Sequence, residues 1–217
     1  MVRAADKVYV IKNWPSQGNQ FAEKTPSVLS YASDPPGWGA NVKIKDEPRI
    51  AQFKLGLQEN IGRHYMNRSM PSTATSVLGG YLFDHNWKHP KLPNKTALDY
   101  TGDYLTRVRE YVTTQVLPSR YGAKFLQNQQ ISYIITVPAI WSDKAKDLTR
   151  RAAVTAGIPR KKLMLITEPE AAAVFCATLC KEVDLQTGDR FLICDAGGGT
   201  VVRLLFLQRL ISGSYCI

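Results

Sequence analysis

RFLICDAGGGT, residues 190–200, is the most informative segment of this 217-residue chain. Residues 190–194 form a mostly apolar run that is typical of a buried strand, and Asp195 follows directly. A carboxylate at the end of a strand lies at the edge of its sheet. There it can hold a hydrated Mg²⁺, which prefers a few carboxylates together with waters and substrate phosphates.

A glycine loop follows the aspartate and consists of Gly197, Gly198, Gly199 and Thr200. The glycines have no Cβ, so their backbone N–H groups can turn toward phosphate oxygens, and the threonine adds a hydroxyl donor. Residues 201–207 predict another strand, so the loop is expected at the tip of a β-hairpin. The alternative is a glycine-rich turn that binds nothing.

Two better-known phosphate loops do not fit this segment. The chain contains no Gly-Lys-Ser or Gly-Lys-Thr, which excludes a Walker A loop. A dinucleotide-binding fingerprint needs a helix directly after the glycines, whereas a strand is predicted there.

A second candidate site is TEPEAAA, residues 167–173. Glu168 lies where a predicted strand ends and a helix begins, and Pro169 sits in the first helical turn. A carboxylate at this position can orient an attacking water or reach the water shell of a metal. For Glu170 we expect a structural role, as an acidic residue that complements the helix dipole.

The second half of the chain alternates predicted strands and helices, which favours an α/β sheet with parallel elements. The expected strands are 131–137, 163–167 and 190–194, with one helix capped by Ser142 and closed at Gly157. The first half predicts a helix over 96–116, capped by Thr96 with Asp99, stopped by Pro118 and carrying an apolar stripe of Leu98, Leu105, Val108, Val112 and Val116. The remaining expectations are strands at 7–12, 27–32 and 41–45, a short helix within 52–64, and mainly loop over 66–95.

Composition limits the function classes. Lys and Arg number 28 against 18 Asp and Glu, a net charge of +10, but the basic residues are scattered and match no nucleic-acid module. We therefore expect affinity for anions such as nucleotides, and no nucleic-acid partner. No signal peptide and no stretch of about 20 apolar residues is apparent, so we expect no membrane partner and a cytoplasmic location.

Three blocks occur in order: TVPA at 136–139 with WSD at 141–143, EPEAAA at 168–173, and DAGGGT at 195–200. Together they resemble the nucleotide-binding domain of the heat shock protein 70 (DnaK-like) family, in particular its divergent fungal type. The resemblance is specific over residues 131–202 and looser over 7–130. It implies an α/β fold, namely an incomplete actin-like (ribonuclease H-like) ATPase lobe that binds ATP and Mg²⁺.

The resemblance also implies roles for single residues. Asp195 is similar to the carboxylate that serves Mg²⁺ through water, and the loop 197–200 is similar to the second phosphate loop. Glu168 resembles the catalytic carboxylate and Pro138 the hinge-coupling proline. The catalytic lysine of the family falls on Lys54, within FKL at 53–55.

The chain departs from the family pattern in three places. The first phosphate loop, expected before the opening strand, is not found. Val202 stands where the family has an acidic residue, and the resemblance stops there. We therefore expect residues 1–202 to be a partial first lobe, truncated at both ends, and residues 203–217 to be a tail foreign to the family.

The expected activity follows from these departures, because phosphoryl transfer needs groups on both sides of the phosphates. The chain is expected to bind ATP and to hydrolyse it hardly at all unless the missing lobe completes it. Unfolded clients or co-chaperones would be partners of the full-length parent. Two alternatives stay open: a non-catalytic protein-interaction module, or a sugar or acetate kinase of the same superfamily. The EPEAAA block favours the chaperone branch over the kinase.

Overall fold

A computed structural model describes residues 9–15, 23–43, 45–46, 48–58, 92, 94–179, 190–196 and 201–207. The chain divides into two compact units. The first comprises Met1–Ser132 with Ser142–Leu163, and the second comprises Tyr133–Trp141 with Met164–Ile217.

The described part of the first unit combines a small sheet with helices. Strands β1 (Val28–Ser30), β2 (Gly37–Trp38) and β3 (Arg49–Ala51) pair antiparallel in the order β2-β1-β3. The helices are α1 (Ala97–Tyr111), α2 (Leu117–Tyr121), α3 (Phe125–Asn128) and α4 (Asp143–Thr155). A π turn (Val112–Val116) joins α1 to α2, and 3₁₀ turns cover Gly39–Asn41, Phe53–Leu57 and Arg160–Lys162.

The core of the first unit is aromatic. Its buried cluster consists of Leu29, Trp38, Ile50, Phe53 and Tyr100, of which Leu29 and Tyr100 are fully buried. Leu29 lies opposite both Trp38 and Ile50 in the sheet, so the central strand supplies the middle of the cluster. Edge-to-face contacts between rings add about 0.5–1.5 kcal/mol per pair beyond the area that they bury.

Helix α1 begins as the sequence predicts. The Thr96 backbone N–H donates to the Asp99 carboxylate at 2.7 Å, and the Asp99 N–H donates back to the Thr96 hydroxyl at 3.4 Å. The buried face of the helix differs from the predicted stripe. It is centred on Tyr100, with Tyr104 and Val108 packed against the core cluster, because the tyrosine rings reach the sheet.

The prediction that Pro118 stops this helix is wrong. The helix passes through the π turn into α2, and the Leu117 N–H donates to the carbonyl of Val112, five residues back. A π turn rearranges the hydrogen-bond ladder just before the prolyl nitrogen, which has no proton to donate. The hydroxyls of Thr113 and Thr114 donate to carbonyls four residues back, at 2.9 and 2.7 Å, which compensates part of the rearranged ladder.

Two predicted strands of the first half are absent from the described residues. The stretch 9–12 carries no strand, and 41–45 begins with the end of a 3₁₀ turn. Local bonds explain the second case, since the Val42 N–H donates to Gly39 and the Lys43 N–H donates to the Asp46 carboxylate at 2.9 Å. The sheet uses β2 and β3 instead. Strand β1 confirms the strand predicted over 27–32. The short helix predicted within 52–64 is a 3₁₀ turn as far as the chain is described. Most of the loop predicted over 66–95 lies outside the described residues.

Helix α4 confirms its predicted ends. The Ser142 hydroxyl accepts from the Ala145 N–H at 3.3 Å. At the other end Gly157 has a φ of +81°, the Gly157 N–H donates to Val154 and the Ile158 N–H donates to Ala153. These two bonds are those of a Schellman motif, which needs the left-handed residue that glycine supplies.

The described part of the second unit contains β4 (Tyr133–Val137), β5 (Leu163–Thr167, whose first residue closes the first unit), α5 (Glu168–Leu179), β6 (Arg190–Ala196) and β7 (Val201–Leu207). Strand β4 pairs with β5, and β6 pairs with β7 in a separate sheet. The described residues are therefore mixed α/β, with two small sheets in this unit rather than the single sheet with parallel elements that alternation predicts. None of the helices described is long and apolar enough to span a membrane.

A polar network joins the sheet of the first unit to α1. The Asp103 carboxylate accepts from the Tyr31 hydroxyl at 2.5 Å and from the Lys95 ammonium at 2.6 Å, and that ammonium lies 4.9 Å from the centre of the Tyr31 ring. Burial, reinforced by the bond to Asp103, raises the pKa of the Tyr31 hydroxyl, which therefore stays protonated and donates. Asp103 thus fixes the position of α1 over β1.

Replacing Asp103 by alanine is expected to lower the free energy of unfolding by about 1–2 kcal/mol, because both partners lose a charged acceptor in a half-buried site. Urea denaturation followed by circular dichroism measures the change. Asp147→Ala, which removes an exposed carboxylate from α4, is the matched control and should cost less than about 0.5 kcal/mol. Equal losses in the two variants would contradict a structural role for the Asp103 network.

Candidate functional site

The predicted hairpin forms. Strands β6 and β7 pair antiparallel over their whole length, from Arg190 opposite Leu207 to Ala196 opposite Val201. The loop 197–200 therefore joins the two strands at the end of this ladder. Gly197, Gly198, Gly199 and Thr200 lie outside the described residues, and their phosphate-binding role stays a prediction.

Asp195 occupies the second rung from the loop, and its register partner is Val202. Register partners lie on the same face of an antiparallel pair, about 4.5–5.5 Å apart between Cβ atoms. Position 202, where the family pattern has an acidic residue, is therefore the register partner of Asp195. With valine there, the hairpin offers a single carboxylate at this rung.

Glu168 is the first residue of α5 and is half-buried. The fully buried ring of Pro169 follows it and fixes the backbone at the strand-to-helix junction. Helix α5 packs against both β4 and β6. The structure therefore brings the elements that carry Glu168 and Asp195 together within the second unit.

Glu170 has the structural role that the sequence predicts. Its carboxylate accepts from the Thr167 backbone N–H at 2.7 Å and from the Thr167 hydroxyl at 2.8 Å, while the Glu170 N–H donates to that hydroxyl at 3.3 Å. This reciprocal pair is a capping box, which satisfies N–H groups that the first turn would leave unpaired. Glu168 is not part of the box, and the catalytic role that the resemblance implies for it stays a prediction.

Pro138 directly follows β4 in the second unit, and its carbonyl accepts from the Trp141 N–H at 3.2 Å. The bond closes a turn that leads from the strand to buried Trp141. The hinge-coupling role that the resemblance implies for Pro138 stays a prediction.

Lys54 lies in the first unit, exposed in the 3₁₀ turn Phe53–Leu57. The residue before this turn, Gln52, has a φ of 56°, a left-handed conformation that costs a residue with a side chain about 1–3 kcal/mol. The buried side chains of Phe53 and Leu57 hold the strained turn in place. The catalytic role that the resemblance implies for Lys54 stays a prediction.

Gln58, which follows this turn, makes a contact that the sequence does not predict. The side-chain oxygen of Gln58 accepts from the Ser142 N–H at 2.9 Å and from the Ser142 hydroxyl at 3.1 Å, which ties the end of the Lys54 turn to the start of α4. No local pattern could have revealed this bond, because its partners are 84 residues apart in the chain.

The candidate catalytic residues are thus divided between the units, with Lys54 in the first and Glu168 and Asp195 in the second. The described residues contain no cluster of three or more His, Cys, Asp or Glu side chains that could hold a metal by themselves. The two candidate carboxylates, Glu168 and Asp195, suit Mg²⁺ better than Zn²⁺ or Ca²⁺, since Mg²⁺ is commonly held by one or two carboxylates and otherwise by waters and substrate phosphates.

Comparison with known proteins finds no family model that matches the chain. Among curated proteins, the chain is 26% identical over 187 residues to a heat shock protein 70 homolog of Acanthamoeba polyphaga mimivirus, an alignment that covers 84% of this chain and 20% of that protein. It is 37% identical over 206 residues to a heat shock protein homolog of Encephalitozoon cuniculi, covering 84% of this chain and 29% of the relative. It is 31% identical over 96 residues to human heat shock 70 kDa protein 12A, covering 42% of this chain and 14% of the relative.

These relatives support a heat shock protein 70-like family for the chain and imply an actin-like ATPase fold. The chain spans only 14–29% of the length of these three relatives.

Substitutions of Glu168 and Glu170, the two glutamates in the first turn of α5, are expected to change the free energy of unfolding by different amounts. Glu170→Ala removes the capping box and is expected to cost about 0.5–1 kcal/mol of unfolding free energy. Glu168→Gln keeps the shape of the side chain and should cost less than about 0.5 kcal/mol. Urea denaturation of the chain measures both. A loss at Glu168 as large as that at Glu170 would assign Glu168 a structural role as well.

Proposed function

We propose that this chain is an Mg·ATP-binding part of a heat shock protein 70-like chaperone ATPase, with little or no hydrolysis by itself. The observation that carries the proposal is the β6–β7 hairpin, whose turn is the glycine loop and whose last rungs contain Asp195. The similarity to heat shock protein 70 homologs supports the family, and the hairpin supports the choice of site.

Each candidate residue has a role in this proposal. Asp195 holds Mg²⁺ through water, and the N–H groups and hydroxyl of the loop 197–200 bind phosphate oxygens. Glu168 orients the attacking water, and Lys54 takes the role of the catalytic lysine, which falls on it in the family pattern. The metal supplies charge neutralisation for the phosphates when it is bound.

Weak hydrolysis follows from the same chemistry. Phosphoryl transfer needs donors and cations around the whole triphosphate, and the first phosphate loop of the family pattern is not found in this sequence. We further propose that the chain belongs to a divergent, fungal-type member of this family that acts in the cytoplasm. Residues 1–202 would form part of its first lobe, and residues 203–217 a tail foreign to the family. Clients and co-chaperones belong to the full-length protein.

A second candidate is a non-catalytic interaction module. The specific observation in its favour is Val202 at the register partner of Asp195, which removes one carboxylate from the cation site of the family pattern. A chain in this state could keep the fold as a docking surface after losing nucleotide chemistry.

Isothermal titration calorimetry of the 217-residue chain with Mg·ATP tests the first candidate directly. We expect saturable binding that Asp195→Asn weakens about tenfold, equivalent to about 1.4 kcal/mol, because the waters of the metal lose a charged hydrogen-bond acceptor. Asp147→Asn, on the exposed face of α4, makes the same chemical change elsewhere and should leave binding unaltered. Folded protein that shows no heat at millimolar ATP would overturn the proposal and favour the interaction module.

A carboxylate at position 202 is expected to tighten Mg·ATP binding, the opposite of the effect of Asp195→Asn. Val202→Glu is expected to tighten Mg·ATP binding about threefold to tenfold and, without Mg²⁺, to destabilise the hairpin by about 0.2–1 kcal/mol through repulsion from Asp195. Val201→Glu is the control, because successive positions of a strand alternate between its two faces. Tighter binding in both variants would show that added charge, and not the register with Asp195, is responsible.

A further inference from the structure

A pocket of about 450 Å³ opens at the corner between α2 and α3, in the first unit. Its volume falls in the range that holds a small ligand or a few residues of a peptide. It is lined by Tyr121, Gly122, Ala123, Lys124, Phe125 and Gln129. None of the residues assigned to nucleotide chemistry lines this pocket.

The apolar wall of the pocket is a pair of stacked rings. Tyr121 and Phe125 lie with centroids 4.6 Å apart and planes inclined by 22°. Tyr121 is 47% exposed, and Phe125 is half-buried. A rigid, partly exposed aromatic surface of this kind is a common anchor for a partner side chain, since it loses little conformational entropy on binding.

Gly122 fixes the stacked rings in place. Its φ of +90° is accessible to glycine, and a Cβ there would meet no atom within 4 Å, so the constraint comes from the backbone and not from crowding. The Gly122 N–H donates to Pro118 at 2.9 Å, and the Phe125 N–H donates to Gly122 at 3.1 Å. The corner is thus closed by hydrogen bonds on both sides and is preorganised.

The rim of the pocket is basic. Lys124 is exposed at its edge, and the Arg120 guanidinium lies 5.5 Å from the centre of the Tyr121 ring. The same guanidinium stacks on Tyr9 at 3.7 Å and donates to the Tyr121 hydroxyl at 3.1 Å, which holds it beside the rings. Between Glu110 and Asp143 the sequence contains no acidic residue. Positive charge at this corner is therefore not offset by neighbours along the chain.

We propose that this pocket docks an acidic peptide segment of a partner protein, with an aromatic or large aliphatic side chain on the Tyr121–Phe125 rings and flanking carboxylates on Arg120 and Lys124. The planar guanidinium suits a carboxylate, which it can bind through two parallel hydrogen bonds. Charge complementarity selects an acidic occupant. Two cations at a single corner suit a short segment better than a nucleic-acid backbone, which needs a groove of positive charge along many phosphates.

Fluorescence anisotropy with the labelled peptide Ac-DDFDD tests the proposal on the full chain. We expect binding at 50 mM salt that weakens at 300 mM, with the peptides Ac-NNFNN and Ac-KKFKK binding at least tenfold more weakly. Lys124→Glu should weaken Ac-DDFDD at least tenfold and Tyr121→Ala at least fivefold. Lys161→Glu changes the net charge equally at an exposed site on a different turn and should weaken binding less than twofold.

Two results would overturn the proposal. If Lys161→Glu weakens the peptide as much as Lys124→Glu does, the binding reflects overall charge and not this pocket. If a ten-residue oligothymidylate binds more tightly than Ac-DDFDD and displaces it, the corner is a nucleic-acid surface. Circular dichroism of each variant shows whether it is folded. The exposed Lys124→Glu change keeps the proposal testable even if Tyr121→Ala disturbs the corner.

Discussion

The close contact between α1 and α4 is the constraint on which the first unit depends. Gly102 faces α4 so closely that a Cβ there would lie 3.4 Å from the carbonyl oxygen of Ala152. On the other helix Ala145, Ala152 and Ala153 are fully buried, so small side chains on both helices set their separation. Because Tyr100 on α1 also fills the centre of the aromatic cluster, the same helix joins the small sheet to α4. The Arg109 side chain adds a bond from α1 to the carbonyl of Ala156, at 2.7 Å, just past the end of α4.

How much of this structure the sequence predicts depends on how local each signal is. The caps at Thr96, Ser142 and Gly157 involve residues three to five positions apart, and all were predictable. The strand predicted over 41–45 is wrong because alternation alone cannot exclude a turn whose N–H groups find partners within a few residues. The bond between Gln58 and Ser142 and the network around Asp103 connect positions far apart in the chain, and no pattern in a single sequence reveals them.

The candidate site shows the same division. The hairpin was predictable because a glycine loop between two apolar runs has few other solutions, and the register then follows from pairing. The sequence predicts a structural role for Glu170 through the helix dipole, and the structure adds a capping box with Thr167. The catalytic role of Glu168 stays a prediction. The roles that the resemblance implies for Lys54, Glu168 and Asp195 stay predictions, because local patterns do not encode tertiary arrangement. The similarity to heat shock protein 70 homologs supports the family. The hydrogen bonds of Glu170 show its structural role as a helix cap.

The π turn at Val112–Val116 has a consequence for comparing this chain with its relatives. A turn bonded five residues back holds about one residue more than an α turn of 3.6, so it shifts the angular phase of everything that follows by about 100°. Tyr121 and Arg120 therefore occupy different angular positions from those that the periodicity of α1 would give them. Against a relative whose helix lacks such a turn, a sequence alignment without gaps across residues 112–116 would compare positions on different sides of the helix. Any transfer of residue roles to α2 should allow for a one-residue offset there.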